Sequence, residues 1–196
     1  MTSDIRPATE AELPAVGSLI ALSFDHLEQN ASLVPDPAAR LRVMGDFFTM
    51  LTVHAPLCGK VDVIDDPNDG GLAAAAVWFD RTGEQPELVG YEDRLAELAG
   101  EFLPNFQALD EVFEKNHPVD PHWHLAFLAV HPGWQSHGLG SALMDSTHED
   151  LGRTPAYLEA TNDANIRLYR RHGYTPLEPF DIRLPDGTPF YRMWRA

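Results

Sequence analysis

The segment Gln135-Ser136-His137-Gly138-Leu139-Gly140-Ser141 sets a polar residue and two spaced glycines against the start of a helical pattern. A helix N-terminus leaves its first backbone N–H groups unpaired and carries about half a positive charge. That arrangement holds a phosphate or pyrophosphate if side chains stay clear of it. Two nucleotide-binding designs fail on spacing. GxxxxGK[ST] needs a lysine after its last glycine, where Ser141 stands. GxGxxG/A needs a small residue where Leu143 stands, and a strand directly before its first glycine, where "HPGWQSH" intervenes. A strand-to-helix turn also takes glycine for its dihedrals alone, so the loop by itself does not name a ligand.

Other residues offer acid–base chemistry. His124 lies on an apolar strand, and an unperturbed imidazole pKa of ~6.5 suits a general base. Glu159, on the following strand, is the alternative, and a relayed water is a third. Neither residue has a diagnostic spacing. His122 and His124 alternate on one strand face, with His131 nearby in sequence. No third ligand stands at firm spacing, so no metal is expected. Cys58, the single cysteine, sits in "HAPLCGK" without an evident partner and reads as a structural thiol.

These residues need positioning elements. "DIRPATEAELPAVGSLIALSFDHL" reads as a short strand, a Thr9/Glu12 capping box, then a helix with Leu13, Val16, Leu19, Ile20 and Phe24 on one face. A second helix follows Pro37, with Leu41, Met44, Phe47, Phe48 and Leu51 as its apolar stripe. "KVDVIDD" and "GLAAAAVWFD" form a hairpin around "DPNDGG", and the four alanines predict close helix packing. Residues 84–120 form an acidic helical insert broken or kinked near Pro104. Then come the apolar strand "WHLAFLAVHP", a helix from Gly138, the strand "AYLEAT", the helix "NDANIRLYRRHG" stopped by Gly173, and a hairpin turning at Asp186-Gly187. The order predicts one α/β domain over 1–196, its sheet antiparallel at both ends with one parallel step in the middle.

Bulk properties narrow the function. The 196 residues carry a formal charge of −16 and are 44% hydrophobic. Such acidity disfavours nucleic acid and anionic membranes, and is compatible with a cationic substrate. No apolar run approaches the ~20 residues of a membrane span. The segment "MTSDIRPATEAEL" lacks the pattern of a signal peptide, so a cytoplasmic protein is expected.

"QSHGLG" fits [Q/R]-x-x-G-x-[G/A], the pyrophosphate loop of acyl-coenzyme A transferases, at Gln135, Gly138 and Gly140. Residues 122–174 as a whole resemble the GCN5-related N-acetyltransferase (GNAT) superfamily. The strand "HLAFLAVHP", the loop and its helix, the strand "AYLEAT" and then "NIRLYRRHGY" follow the family order. Asn165, Leu168, Tyr169, Gly173 and Tyr174 stand where its pattern wants them, with Tyr174 in place of the commoner Phe. More of the chain is similar to puromycin N-acetyltransferase-type enzymes, through "AAAAVWFD" with its Trp read as exposed, the acidic insert, and "YLEATNDANIRLYRRHGY".

The resemblance implies a single GNAT-like domain: a mixed, mostly antiparallel twisted sheet with a splayed central parallel pair and helices on both faces. It implies acetyl-coenzyme A as co-substrate and no metal. An amine would attack the thioester directly in a ternary complex. Tyr169 would protonate or stabilise the leaving thiolate, and the backbone of Leu128, Ala129 and Val130 would face the acetyl group. Gln135, Ser136, His137, Gly138, Leu139, Gly140, Ser141 and Asn165 would bind the coenzyme. The acceptor pocket is expected from Phe24, Asp25, His26, Trp78, Phe79 and Trp123, aromatics and an acid suited to a flat or cationic amine. The expected acceptor is a small-molecule primary amine, with an antibiotic as one instance. A protein or peptide amine, or a non-catalytic acyl-coenzyme A-binding regulator, are the alternatives. Monomer and homodimer are both compatible with the sequence.

Overall fold

The computed structural model describes residues 4–68 and 70–196. The tip of the expected "DPNDGG" turn at residue 69, and residues 1–3, lie outside the described residues. Seven strands form one sheet in the order β1-β2-β3-β4-β5-β7-β6: β1 (Ile5–Pro7), β2 (Gly59–Asp65), β3 (Leu72–Arg81), β4 (His122–Val130), β5 (Ala156–Ala160), β6 (Thr175–Arg183) and β7 (Pro189–Arg195). Only β4 and β5 pair in parallel; the other neighbours are antiparallel. This is the fold class expected from the sequence.

Helices cover both faces: α1 (Leu13–Phe24), α2 (Glu28–Leu33), α3 (Pro37–His54), α4 (Tyr91–Ala99) and α5 (Leu103–Asn116) on one, α6 (Leu139–Leu151) and α7 (Asp163–Arg171) on the other. The alternation of β3 divides the core. Ala75 and Val77 join Val16, Ile20, Phe47 and Phe48; Ala74, Ala76 and Trp78 join Leu143, Met144 and Leu158. The small alanine side chains let helices pack close on both faces. On the first face a Cβ at Gly17 would meet the Thr49 backbone at 2.6 Å, so only glycine lets α1 seat on α3.

The Thr9/Glu12 capping box is present: the Thr9 N–H donates to Glu12 Oε2 at 2.8 Å. The insert breaks at Gly100–Phe102, and Pro104 opens α5, where a missing N–H costs nothing. Two expectations are corrected. In α3, Leu41 is exposed, while Val43 and Met50 are buried; α3 turns a wider face to the core than the stripe counted. The short α2 was not anticipated, because six residues carry too little periodicity to register.

Candidate active site

The parallel pair is the seat of the site. The β4–β5 ladder consists of Trp123↔Ala156 and His124↔Tyr157, and beyond it the strands part. On the other edge of β4, Leu125 pairs with Trp78 and Phe127 with Val77, leaving Ala126 as the extra residue of a β-bulge. The Val130 carbonyl accepts from Ser23 Oγ at 3.1 Å and so points away from β3. Alternation puts the N–H groups of Val130 and Leu128 on that same open side. Ala129, one residue out of phase, faces β3.

A cavity of about 540 Å³ lies between the end of β4, the start of α6 and the inner side of α7. Its walls include Leu128, Val130, Gln135, Ser136, Gly138, Leu139, Gly140, Ser141, Asn165 and Tyr169. Gly138 caps α6 at φ 82°, and a Cβ there would meet no protein atom. It therefore serves a left-handed backbone, as a turn glycine does. Gly140 is helical, and a Cβ there would touch Leu128 Cδ2 at an ordinary 3.5 Å. Ser136 also has positive φ, 65°. His137 turns its Nδ1 to the Trp134 and Gln135 carbonyls at 3.2 and 2.9 Å, away from the cavity. Ser141 Oγ lies 3.1 Å from His172 Nε2, and His172 Nδ1 lies 2.9 Å from Asp145 Oδ1, which ties the end of α7 to the first turn of α6. Arg171 adds a cation to the wall. Free N–H groups, an open helix start and this guanidinium suit a pyrophosphate-bearing ligand.

On the insert side lies a larger cavity of about 1000 Å³, lined by Phe47, Phe79, Tyr91, Asp110, Phe113, Phe127, His124 and Glu159 among others. A narrow space of about 110 Å³, bounded by Phe24, Ala126, Phe127, Leu128, Glu159, Asn165 and Tyr169, shares walls with both cavities. Glu159 borders the large cavity and the junction; Tyr169 borders the junction and the 540 Å³ cavity.

His124 Nε2 is 2.8 Å from Glu159 Oε2, and the two side chains are only 10% and 6% exposed. Burial pushes the Glu159 carboxyl up, but the charge and hydrogen bond of His124 outweigh it, and its pKa ends below the ordinary value. Glu159 Oε1 and His124 Nδ1 are buried without a well-formed hydrogen bond among the described residues, while the Tyr157 phenol stands close enough to Glu159 to help lower its pKa. Burial, reinforced by the Glu159 charge, raises the Tyr169 phenol, which keeps its proton well above neutral pH. Asn165 is held by its Nδ2 on Thr161 Oγ1 at 2.8 Å, while the cap of α7 is Asn162, whose Oδ1 accepts the Asn165 N–H.

The expected acceptor residues divide. Phe79 lines the large cavity. Phe24 and His26 border the 540 Å³ cavity instead, and Asp25 follows α1 outside all three spaces. Trp78 is fully buried, not exposed, and Trp123 packs with it in the core beneath α6 and α7. One step along β3 reverses the face, so Phe79 and Trp78 cannot share a pocket. The expectation for Trp78 and Trp123 is withdrawn. His131 is apart from His122 and accepts the Gly133 N–H at 3.2 Å; the partner of His122 is His117, with Nε2 atoms 3.2 Å apart. Tyr91 on α4, Asp110 and Phe113 on α5 and Phe127 on β4 were missed as cavity residues, because a polarity pattern tells which side of an element turns inward and not whether a core or an open pocket lies there.

An α/β domain with parted parallel strands, an open helix start and a two-chambered cleft suits a protein that joins a phosphate-bearing donor to a second substrate. Residues 95–176 match the family model of the acetyltransferase (GNAT) domain. The full chain superposes on a crystal structure from Corynebacterium glutamicum titled histone acetyltransferase HPA2 and related acetyltransferase. The TM-score is 0.77 at 26% identity, covering 100% of this chain and 97% of that one. It is also similar to arylalkylamine N-acetyltransferase 2 from Aedes aegypti, with TM-score 0.59, 14% identity and coverage of 99% and 98%. A third likeness is to the NatC complex bound to Gag peptide and CoA, with TM-score 0.55, 12% identity and coverage of 100% and 99%. The domain match is confined to residues 95–176, and over its whole length the chain has the fold of these acetyltransferases. No helix among the described residues is long and apolar enough to cross a membrane.

Proposed function

We propose that the protein transfers the acetyl group of acetyl-coenzyme A to a primary amine of a small molecule, by direct attack in a ternary complex. The observation that carries this reading is the junction. Glu159 on the large cavity and Tyr169 on the 540 Å³ cavity border one narrow space between them. The coenzyme occupies the 540 Å³ cavity, with its pyrophosphate on the N–H groups from Ser136 to Ser141, beside Gln135, and with Asn165 alongside. The amine enters from the insert side.

Glu159, ionised and held by His124, receives the ammonium proton at Oε1. His124 orients the carboxylate and keeps it charged. The neutral amine attacks the thioester carbonyl, and the N–H groups of Leu128 and Val130 stabilise the oxyanion; one such donor is worth roughly 3 kcal/mol in related acyl transfers. Collapse breaks the C–S bond and expels the thiolate onto the Tyr169 hydroxyl, and the second proton, lost by the attacking nitrogen, passes to the departing sulfur to give the amide and the free thiol. With its pKa raised, that phenol acts as a protonated hydrogen-bond donor at the leaving sulfur. No covalent enzyme intermediate is needed.

A small acceptor is favoured because α4 and α5 enclose the large cavity, which narrows it against a folded protein. An aminonucleoside-like antibiotic falls within this acceptor class. The test is thiol release from acetyl-coenzyme A across a panel of small amines, that antibiotic type and N-terminal peptides. Turnover with small amines and none with peptides supports the reading; turnover with peptides alone overturns it.

A further inference from the structure

Building on the small-amine reading, we propose that the acceptor is a diamine with an apolar or aromatic skeleton. Its second ammonium is bound by Asp110 and Glu114, while the amine to be acetylated sits at Glu159.

The large cavity carries carboxylates on β5 and on α5, with aromatic rings on the same wall. Glu159 has its side chain 94% buried, its Oε2 held by His124 and its Oε1 without a well-formed hydrogen bond, with the Tyr157 phenol close by. Phe47, Phe79, Phe113 and Phe127 line the same cavity. On α5, Asp110 and Glu114 are on the wall one helical turn apart, so both face the same space. Tyr91 Oη lies 3.1 and 3.0 Å from the two Asp110 oxygens. A phenol has one hydrogen to give, so most Asp110 lone pairs stay free. No cationic side chain among the described residues pairs with Asp110 or Glu114. Of the nearby cations, Arg81 lies over the Phe79 ring at 5.9 Å, and His54 is engaged with the Pro86 carbonyl at 3.1 Å.

A half-buried carboxylate without a cation is costly, and a ligand ammonium would remove that cost. Burial, and less strongly the Glu114 charge, raise the Asp110 pKa despite the Tyr91 hydrogen bond. Glu87, Glu92 and Asp93 also border this cavity and add to a negative field that draws a dication inward. The aromatic lining selects the skeleton, since ring faces accept both hydrocarbon and cationic edges.

The experiment is calorimetric binding of benzylamine and para-xylylenediamine to the coenzyme A-saturated protein. The two share a ring and differ by one aminomethyl group. The diamine should bind at least ~10-fold tighter, or about 1.4 kcal/mol. D110N should reduce that preference to below ~3-fold, with D110E restoring it. E114Q gives a second variant should D110N melt early. Equal binding of the two amines, binding of neither, or an undiminished preference in both D110N and E114Q overturns the proposal. Binding is read without acetyl transfer. Failure to acetylate any amine would therefore count against the proposed activity, and loss of the diamine preference against this inference.

Discussion

His124 Nε2 and Glu159 Oε2 meet at 2.8 Å just where the parallel strands part. His124 ends the β4–β5 ladder and Glu159 lies two residues beyond its β5 partner, Tyr157, so the separation that opens the site also presents the pair to it. His124→Gln keeps a donor toward Glu159 but removes the imidazole ring. It should lower kcat by ~10-fold and move the acidic limb of the pH–rate profile upward, since the carboxylate loses the partner that holds its pKa down. An unchanged acidic limb would show that His124 does not set the charge of Glu159.

Tyr169→Phe removes the proton donor at the leaving sulfur but keeps the ring that packs against Tyr174. We expect kcat to fall by ~10²-fold with the KM for acetyl-coenzyme A little changed, measured by steady-state thiol release. A rise in KM at constant kcat would reassign Tyr169 to binding.

The two loop glycines should behave differently. Gly138→Ala forces a side chain into φ 82° and should cost ~1–2 kcal/mol of stability. It should also raise the KM for acetyl-coenzyme A, because Gly138 is on the wall of the cavity assigned to the phosphates. Gly140→Ala meets only Leu128 and Val130 at ordinary distances, and should leave the melting temperature level or higher. Thermal melts and coenzyme titrations of both variants check this.

Acid should destabilise the fold in a window set by histidines. Burial lowers His117 to about 3 and His148 to about 4. Above pH ~6.5 both are neutral folded or unfolded, and they contribute nothing. As pH falls below that value the unfolded chain takes up protons that the fold refuses, and stability drops until about pH 4 for His148 and about 3 for His117. Glu12, held at about 2 by Arg6, acts in a lower window, below its ordinary 4.5. Urea midpoints between pH 7 and 4.5 should decline, and His148→Gln should flatten the decline.

Much of this was legible in the residues. The succession of elements along the chain, the parallel step, the capping box and the helix break just before Pro104 follow rules that tertiary packing did not override. The sequence also singled out Tyr169, His124 and Glu159. It could not show that His124 and Glu159 touch, because 35 residues separate them and only the strand register brings them together. It misjudged Trp78 because a large aromatic at a strand end reads as exposed until its face is known. Here the face follows from alternation with Val77 and Phe79. The cavity residues Tyr91 and Asp110 were hidden in a helical pattern that fixes their side of the helix and not what lies opposite.

The central claim is that Glu159 takes the proton from the acceptor. Thiol release by Glu159→Gln, measured across pH with a saturating small amine, tests it most directly. Gln keeps the shape and cannot accept the proton, so kcat should fall by ~10² or more at neutral pH. The loss should shrink as rising pH supplies neutral amine from solution. A kcat within ~3-fold of the unaltered protein at pH 7, with an unchanged pH profile, would contradict the account.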